Sequence, residues 1–451
     1  MRGTHGWAEI DAERKREILA AIRSGRATRG PSHVELDITD RCNVACYFCN
    51  QQDVRTKQQI SLEHLTALIN EMAAMGVRSV RLSGGGDPLA HRDIGRVLDH
   101  LHARRIVVDN LTTNGALLGE DLARRLVEHR AREIVFSLNA ADPDDYARMM
   151  QVKPAVFDRV VANVAGLVEM RAAGSHPSIV VQFLLDRRNF HDLPKMYDLG
   201  RSLGADRLAI GLVLNVPGEH FDPGVLLQPS DGDALRPLLE DILGKDRDAN
   251  LLQMFFPVPE WNAMVDEIRQ KIGAAPPPPL FATAPSFEER NGQCFFGWYT
   301  ATIRGNGDLY PCCLLMLPDY KPLGNALEGR LADHWNGPDF RRLREEQREI
   351  LLEGDAAKFD PARHRVIRSQ CVEYGACWLK NIYFRGDGEF YRELAETLEA
   401  ARRHPGFAAR FRRRWEQRKP GLLAAARRAL PAGTLLGTWA RRLRSGLRHS
   451  G

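Results

Sequence analysis

The stretch HVELDITDRCNVACYFC, residues 33–49, joins a strand pattern directly to a loop that holds three cysteines. Apolar and polar residues alternate over 33–39, as is typical of a β-strand. Cys42, Cys46 and Cys49 follow with the spacing C-x3-C-x2-C. A disulfide would leave one thiol over, and a structural zinc ion takes four protein ligands. The spacing therefore favours a [4Fe–4S] cluster with one open iron over a catalytic zinc ion or three unrelated buried cysteines.

The composition is that of a large globular protein. The chain has 451 residues, of which 44% are apolar and 27% charged, so two or three structural units are expected. It contains no apolar run of about 18 residues, and its N-terminus lacks the apolar stretch of a signal peptide. We therefore expect a cytoplasmic protein whose eight cysteines bind metal or do redox chemistry rather than form disulfides.

Strand patterns and helix patterns alternate after the cysteine loop. The helical segment 60–76, for example, has Ser61 as a candidate cap and ends at Gly76. Six successive strand-then-helix units imply parallel strands with right-handed crossovers. Because six units are too few for the complete eight-stranded barrel, we predict an α/β fold with a partial (β/α)6 TIM-like barrel. The strand patterns are 33–39, 77–84, 106–112, 132–139, 178–185 and 206–213.

The ends of these strands carry polar residues and glycines, at the edge where barrels place their chemistry. Glycines after the second strand either let backbone groups approach a ligand or form a tight turn. Polar residues two apart at the end of the fourth strand are expected to share one face. A glutamine inside the fifth strand is, taken alone, more typical of a hydrogen-bonded core amide. Together the set suits an amino acid and a ribose, and its members are Gly85, Gly86, Asp87, Asn114, Ser137, Asn139 and Gln182.

The chain resembles the radical S-adenosylmethionine (SAM) enzymes. The family's C-x3-C-x-aromatic-C motif matches Cys42, Cys46, Phe48 and Cys49, and its Gly-Gly-Glu motif appears at 85–87 with the shorter acid aspartate. The resemblance implies that the open iron binds the amino and carboxylate groups of SAM. It further implies that an electron from the cluster cleaves SAM to methionine and a 5′-deoxyadenosyl radical, which abstracts hydrogen from a substrate.

The resemblance covers roughly residues 33–215 and also implies the surroundings of SAM. Backbone atoms of 85–87 would hold the amino group, and Phe48 would lie near adenine. Ser137 and Asn139 would lie near the ribose or the carboxylate. A reductase such as flavodoxin or ferredoxin would supply the electron.

A second unit follows a proline-rich segment at 275–285. Residues 297–313 contain two strand patterns around the turn GNGD, which predicts a β-hairpin closed by two cysteines. This layout resembles the extension of the SPASM/twitch subfamily of radical SAM enzymes, which implies one auxiliary [4Fe–4S] cluster. A structural zinc ion is the alternative. The predicted four ligands are Cys294, Cys312, Cys371 and Cys377, with Cys313 as an alternate.

The charge is distributed unevenly along the chain. Residues 401–451 hold 14 Lys/Arg and one acid, whereas the rest carries a formal net charge of −8. Leucines and a tryptophan recur at helical spacing over 436–447 among arginines, which predicts a basic amphipathic helix. Such a tail suits an anionic membrane surface, a partner subunit or reductase, or the protein's own acidic body. Nucleic acid is disfavoured, because aliphatic rather than aromatic residues are interleaved.

These patterns predict five segments. They are an N-terminal helical lead-in (1–32), a radical SAM partial barrel (33–273), a linker (274–290), a SPASM/twitch auxiliary cluster domain (291–385) and a basic helical tail (386–451).

The substrate is inferred from the resemblance alone. Peptide-modifying members often carry an extra domain before the barrel, and here about 32 residues precede the first strand. Sulfatase-maturing members have more cysteines. We therefore expect a small-molecule substrate (a sugar, polyol or aminoglycoside) that is oxidised or rearranged in a biosynthetic pathway. The alternatives are a peptide-modifying radical SAM enzyme and, in another class, a zinc or iron–sulfur protein that binds nucleic acid.

Overall fold

The structure is a computed structural model of the whole chain. It describes residues 12–27, 29–49, 51–52, 55, 57–171, 175–213, 221–247, 249–254, 256, 259–274, 294–316, 320–353, 360–362, 364–367 and 388–403. The predicted ligands Cys371 and Cys377, the proline-rich segment and the amphipathic stretch at 436–447 lie outside these residues. The chain divides into two compact units, one ending at Leu394 and one beginning at Ala395. The sheet, the cysteines and the contacts described below belong to the first unit.

The described strands form one sheet. Its order is β7-β6-β5-β4-β3-β2-β1-β8-β9, and every neighbouring pair is parallel except β8 with β9. The strands are β1 (His33–Leu36), β2 (Ser79–Leu82), β3 (Val107–Thr113), β4 (Glu133–Ser137), β5 (Ser178–Leu185), β6 (Arg207–Leu212), β7 (Leu252–Met254), β8 (Thr300–Ile303) and β9 (Leu309–Tyr310).

Helices connect the parallel strands. In α2 the Ser61 side chain accepts a hydrogen bond from the His64 N–H (3.2 Å), which confirms the predicted cap. None of the helices among the described residues has both the length and the apolarity needed to span a membrane. The helices are α1 (Ala12–Ser24), α2 (Leu62–Ala74), α3 (Ile94–Ala103), α4 (Glu120–Glu128), α5 (Pro143–Met150), α6 (Ala155–Met170), α7 (Leu193–Ser202), α8 (Gly232–Lys245), α9 (Pro259–Lys271), α10 (Leu331–Trp335), α11 (Pro338–Glu353) and α12 (Gly388–Arg403).

The parallel strands and their helices confirm the predicted partial barrel. The six predicted strands correspond to β1–β6, and the structure adds β7, which pairs with β6. With three residues, β7 is too short to show a strand period in the sequence. The predicted hairpin is also confirmed, as β8 and β9. It extends the barrel sheet, because β8 pairs with β1, so the predicted barrel and auxiliary domains share one sheet.

The two faces of the sheet differ in polarity. On β1, Val34 and Leu36 belong to the apolar core that includes the buried residues of the helices. Glu35 lies on the opposite face, where it binds Arg81 of β2 (3.2 Å) and the Thr302 hydroxyl of β8 (2.9 Å). Because helices cover the apolar face, the polar face is the inner face of the partial barrel. Side chains from other strands continue it, including Asn110, Glu133 and Arg207.

Candidate active site

Cys42, Cys46 and Cys49, the first thiol group, lie on the loop that leaves the carboxyl end of β1. Cys46 is buried and the other two are half-buried. The Cys46 sulfur lies 3.5 Å from the Met150 sulfur at the end of α5. Burial, reinforced for Cys46 by the two neighbouring thiols, raises the pKa of Cys42 and of Cys46. These thiols become ligands by losing their protons, which a bound metal cluster promotes.

The sulfurs of the first thiol group are not gathered within the distance that the ligands of one metal ion share. Zinc–sulfur bonds of about 2.3 Å bring the sulfurs of one site within about 4 Å of each other. Within the described residues, one group of three ligand atoms from His, Cys, Asp or Glu lies within a mutual 4.8 Å, namely Asp142, Asp145 and Asp192. The three cysteines do not meet that limit. The preference for a cluster over one zinc ion therefore rests on the C-x3-C-x2-C spacing in the sequence.

The glycine segment after β2 lies directly against the residues that precede Cys42. The Gly86 N–H donates to the Thr39 carbonyl (3.1 Å), and the Asp87 N–H donates to the Arg41 carbonyl (2.9 Å). A Cβ atom at Gly86 would lie 2.0 Å from the Arg41 carbonyl oxygen. The glycine thus allows the backbone of one loop to approach the backbone of the other, and this contact positions the cysteine loop.

Gly84 and Gly85 pack just as closely against the residues that precede Cys42. Gly84 has a φ of 117°, and a Cβ there would lie 1.7 Å from the Asp37 carboxylate. The Gly85 N–H donates to that carboxylate (3.3 Å). A Cβ at Gly85 would lie 2.0 Å from Asp40 Oδ1. The glycines therefore permit close packing on a loop of the protein itself rather than on a ligand. The N–H groups of 85–87 donate hydrogen bonds to that loop.

Asp87 connects the glycine segment to the end of β3. Its carboxylate accepts hydrogen bonds from the Thr113 hydroxyl (2.8 Å) and the Asn114 N–H (2.7 Å). Burial raises the pKa of Asp87, although these hydrogen bonds act against the shift. The Asn114 amide continues to the cysteine loop, donating to Asn43 Oδ1 (2.9 Å) and lying 4.0 Å from the Cys42 sulfur. The structure thus brings Asp87 and Asn114 together with the first thiol group.

Ser137, Asn139 and Gln182 form a separate cluster at the ends of β4 and β5. The half-buried Ser137 hydroxyl donates to Gln182 Oε1 (3.2 Å). Asn139 is buried, and its Oδ1 accepts a hydrogen bond from the Leu184 N–H (3.0 Å). The strand ends at Ser137 and Asn139 has a left-handed φ of 58°, so the two-residue period does not extend to Asn139. Its side chain ties the strand ends together, whereas Ser137 and Gln182 remain partly exposed.

Tyr47, inside the cysteine motif, was not singled out by the sequence. Its hydroxyl donates to the buried Asp186 carboxylate after β5, and the Arg188 guanidinium lies 4.5 Å from its ring centroid. Phe48 packs edge-on against the Tyr47 ring at 5.3 Å. Burial raises the pKa of Tyr47, so the phenol stays protonated as a donor. An aspartate directly after an apolar strand was the one available sequence signal.

Arg55 was also missed. Its NH2 group donates to the Cys49 sulfur (3.2 Å), and its Nε donates to the Gly85 carbonyl (2.5 Å). Arg55 therefore links the cysteine loop to the glycine segment through these hydrogen bonds.

Cys294, Cys312 and Cys313, the second thiol group, flank the β8–β9 hairpin. Cys294 precedes β8 and Cys312 follows β9. Because β8 runs parallel to β1 and β9 runs antiparallel to β8, both cysteines lie toward the amino end of β1. The first thiol group follows the carboxyl end of β1, so the two groups lie at opposite edges of the sheet.

The members of the second thiol group differ in their surroundings. Cys294 accepts a hydrogen bond from Gln347 Nε2 (3.3 Å). Cys312 is buried in the apolar core, whereas Cys313 hydrogen-bonds the Glu35 carboxylate on the inner face. Burial alone would raise the pKa of Glu35, but Arg81, His33 and the Cys313 and Thr302 hydrogen bonds bring it below its usual value. Cys313 therefore uses its S–H group to donate to a carboxylate, and this contact competes with the binding of a metal at its sulfur.

Two family models match the chain. The radical SAM superfamily matches residues 36–200, and an iron–sulfur cluster-binding domain, SPASM, matches residues 294–355. The second match begins at Cys294 and contains the whole second thiol group.

Curated relatives are similar to parts of the chain. The probable GTP 3′,8-cyclase of Methanosarcina acetivorans is 28% identical over 52% of this chain and 68% of its own length. That of Methanocaldococcus jannaschii is 27% identical over 38% of this chain, which spans 56% of that relative. The PqqA peptide cyclase of Streptomyces rochei is 27% identical over 68% of this chain and 76% of its own length. The chain thus spans between about half and three quarters of these relatives.

Solved structures share the fold. Streptococcus suis SuiB superposes with a TM-score of 0.53 and 20% identity, covering 73% of this chain and 71% of SuiB. The enzyme anSMEcpe, with bound SAM and a peptide, gives a TM-score of 0.51 and 14% identity over 89% of this chain and all of its own. The parallel sheet, the two thiol groups and the two family matches all indicate the same family. The chain belongs to the radical SAM superfamily and is an enzyme with a SPASM domain. This combination of domains carries a SAM-binding [4Fe–4S] cluster and one or more auxiliary iron–sulfur clusters.

Proposed function

We propose that this enzyme modifies a peptide, with a SAM-binding cluster on the first thiol group and one auxiliary cluster on the second. The observation that carries the two-cluster arrangement is the position of the two thiol groups at opposite edges of one sheet. A substrate on the inner face would lie between them. When bound, the first cluster supplies the electron that cleaves SAM to methionine and a 5′-deoxyadenosyl radical.

The loops at the carboxyl edge are suited to hold and orient SAM. The N–H groups of 85–87 are bound to the cysteine loop, so backbone carbonyl oxygens of that segment are the groups available to accept from the SAM ammonium. Arg55 and Asn114 provide donors beside the thiols. The partly exposed Ser137 and Gln182 offer polar contacts to the ribose. Phe48, half-buried beside Tyr47, offers an apolar surface for adenine.

The amino edge is suited to hold an electron acceptor. We propose Cys294 and Cys312 as cluster ligands, completed by Cys371 and Cys377, which lie outside the described residues. Cys313 is the weaker candidate because of its hydrogen bond to Glu35. An electron acceptor across the inner face from the radical source favours a net oxidation of the substrate. A reductase such as flavodoxin or ferredoxin would supply the electron that cleaves SAM.

The substrate class follows from the extent of the matches. The match to the PqqA peptide cyclase of Streptomyces rochei runs over 318 residues, whereas those to the GTP cyclases of the two methanogens run over 242 and 174. A peptide-acting relative thus shares more of this chain than nucleotide-acting ones. The comparisons give no support to the sugar, polyol or aminoglycoside that the sequence favoured. We therefore propose the peptide alternative.

Product analysis with deuterated substrates tests this function. The anaerobically reconstituted full chain is reduced with dithionite in the presence of SAM and of synthetic peptides made from perdeuterated amino acids. We expect 5′-deoxyadenosine to form and to gain deuterium, and we expect none with the Cys42→Ala variant. Deuterium transfer from deuterated aminoglycosides but not from peptides would overturn the substrate class. Absence of 5′-deoxyadenosine from the iron-loaded protein would contradict the assignment of the first thiol group.

A further inference from the structure

Gln347 of α11 contacts the first cysteine of the second thiol group. Its side chain is 2% exposed, and both ends of the amide are bound to one short segment. The oxygen accepts from the Gly297 N–H (3.0 Å), and the nitrogen donates to the Cys294 sulfur (3.3 Å). A backbone N–H can only donate, so the Gly297 contact fixes which end of the amide is oxygen. The NH2 group is therefore the end that faces Cys294.

Arg344 reaches the same segment from one helical turn earlier. Its side chain is 1% exposed, its Nε donates to the Gly297 carbonyl (2.7 Å), and its guanidinium lies 4.4 Å from the Trp335 ring centroid. Among the described residues its NH2 group has no hydrogen-bond partner. A buried cation is costly unless a negative charge balances it. An iron–sulfur cluster held by thiolates carries net negative charge and would provide that balance beside Cys294.

We propose that Gln347 is a positioning residue that tunes the reduction potential of the auxiliary cluster through an N–H···S hydrogen bond to Cys294, with Arg344 as the balancing charge. This inference rests on the proposed role of Cys294 as a cluster ligand. Hydrogen bonds to cluster and cysteine sulfurs are among the determinants of such potentials. A donor stabilises the reduced, more negative form more than the oxidised form, so the bond raises the potential.

The decisive variant is Gln347→Glu. An ionised glutamate keeps an oxygen for the Gly297 N–H but loses the donor to Cys294. We expect a lower potential for the auxiliary cluster, an unchanged potential for the SAM-binding cluster and full iron content. Lowering the pH protonates the glutamate and restores a donor, so the shift should shrink toward acid pH. The measurement is a redox titration of the anaerobically reconstituted full chain, followed by electron paramagnetic resonance.

A matched control and a second variant keep the test decisive. Glu345→Gln changes an exposed neighbour on the same helix and should leave both potentials unchanged. Where Gln347→Glu lowers the iron content, Gln347→Met removes the same donor without adding charge and should also lower the potential. An unchanged auxiliary potential in either iron-loaded variant overturns the inference.

The wild-type protein offers an independent measurement. With ¹⁵N-labelled glutamine side chains, electron–nuclear double resonance should detect one labelled amide coupled to the reduced auxiliary cluster. Absence of that coupling would overturn the inference, even if none of the Gln347 variants retained the auxiliary cluster. A Cys294→Ser variant that retains an unaltered auxiliary signal would instead show that the ligand assignment fails, which separates that failure from the failure of the Gln347 role.

Discussion

The three cysteines of the first thiol group lie within eight consecutive residues of one loop. Cys294 and Cys312 of the second group instead lie on either side of the β8–β9 hairpin. The first group is positioned by loops at the ends of neighbouring strands, through Asp87, Asn114 and the Tyr47–Asp186 bond. The second depends on contacts with a helix some fifty residues later, such as Gln347 with Cys294. Local spacing alone therefore indicates the first group in a sequence, whereas the second was predicted from a resemblance, and its contacts with Gln347 and Glu35 are visible only in the fold.

The two groups also differ in the chemistry around their sulfurs. The guanidinium of Arg55 lies beside Cys49, and the thioether of Met150 lies beside Cys46. The second group has a neutral amide at Cys294 and a carboxylate at Cys313. The Cys49 sulfur accepts a hydrogen bond from Arg55, whereas the Cys313 thiol donates its S–H to the Glu35 carboxylate, which competes with ligation at Cys313. The comparison therefore makes separate predictions for the two groups.

The largest effect is expected from removing the first thiol group. The triple variant Cys42→Ala, Cys46→Ala and Cys49→Ala should lose all SAM cleavage, because it removes every cysteine that the described part of the chain places at the carboxyl edge. The auxiliary cluster should persist, because its proposed ligands Cys294 and Cys312 lie at the opposite edge of the sheet. Product analysis measures 5′-deoxyadenosine, and iron analysis should show a loss of about four atoms per chain. SAM cleavage by the triple variant would contradict the assignment of the SAM-binding cluster to the first thiol group.

A sharper comparison comes from Cys312 and Cys313, which are adjacent in sequence but differ in surroundings. Cys312→Ala should abolish the auxiliary signal in electron paramagnetic resonance, because it removes a proposed ligand from the amino edge. Cys313→Ala should retain the signal, because that thiol hydrogen-bonds Glu35. The two variants serve as controls for each other. The reverse result would assign Cys313 as the ligand and leave Cys312 as an apolar core residue.

Gly86→Ala tests how the first group is positioned. The new Cβ would lie 2.0 Å from the Arg41 carbonyl oxygen, so the cysteine loop must shift, at an expected cost of about 1–3 kcal/mol in stability. We expect weaker SAM binding by isothermal titration calorimetry and reduced iron at the first group only. Gly166→Ala is the matched control, because nothing lies within 4 Å of its Cβ position. In the interior of α6 it should stabilise the protein by about 0.5–1 kcal/mol. Equal SAM affinity in both variants would contradict the proposed fit.

The sequence predicted much of the fold because local patterns carry it. The six strands β1–β6, the cap of α2 and the hairpin all follow from periodicity and turn residues. The pairing of β8 with β1 could not be read, because it joins segments more than 250 residues apart whose patterns suit many partners. The packing of Gly84 on Asp37 was missed for a similar reason. A glycine shows that a neighbour comes close, but the sequence does not say whether the neighbour is a ligand or the protein.

The most local of the predicted effects concerns residues 365–367, which α11 binds through Glu346. The Glu346 side chain of α11 is 2% exposed and accepts hydrogen bonds from the backbone N–H groups of residues 365–367, at 2.9, 2.9 and 3.0 Å. Arg342 donates to it as well (2.8 Å). Burial alone would raise the pKa of Glu346, but these hydrogen bonds more than offset that effect and bring the pKa below its usual 4.5. The charged form is therefore favoured by folding.

Glu346→Gln should loosen this segment. An amide can accept fewer of these hydrogen bonds and turns a donor toward backbone donors, so the local cost is about 1–3 kcal/mol. Amide hydrogen exchange over 365–367 should therefore speed up at pH 7, whereas Glu345→Gln, on the exposed side of the helix, should not change it. A carboxyl whose folded-state pKa is lowered contributes stability above its unfolded pKa and loses it as the pH falls. The difference between wild type and Glu346→Gln should accordingly persist at neutral pH and shrink below about pH 4.5. A difference that did not vary with pH would show that Glu346 acts through shape rather than charge.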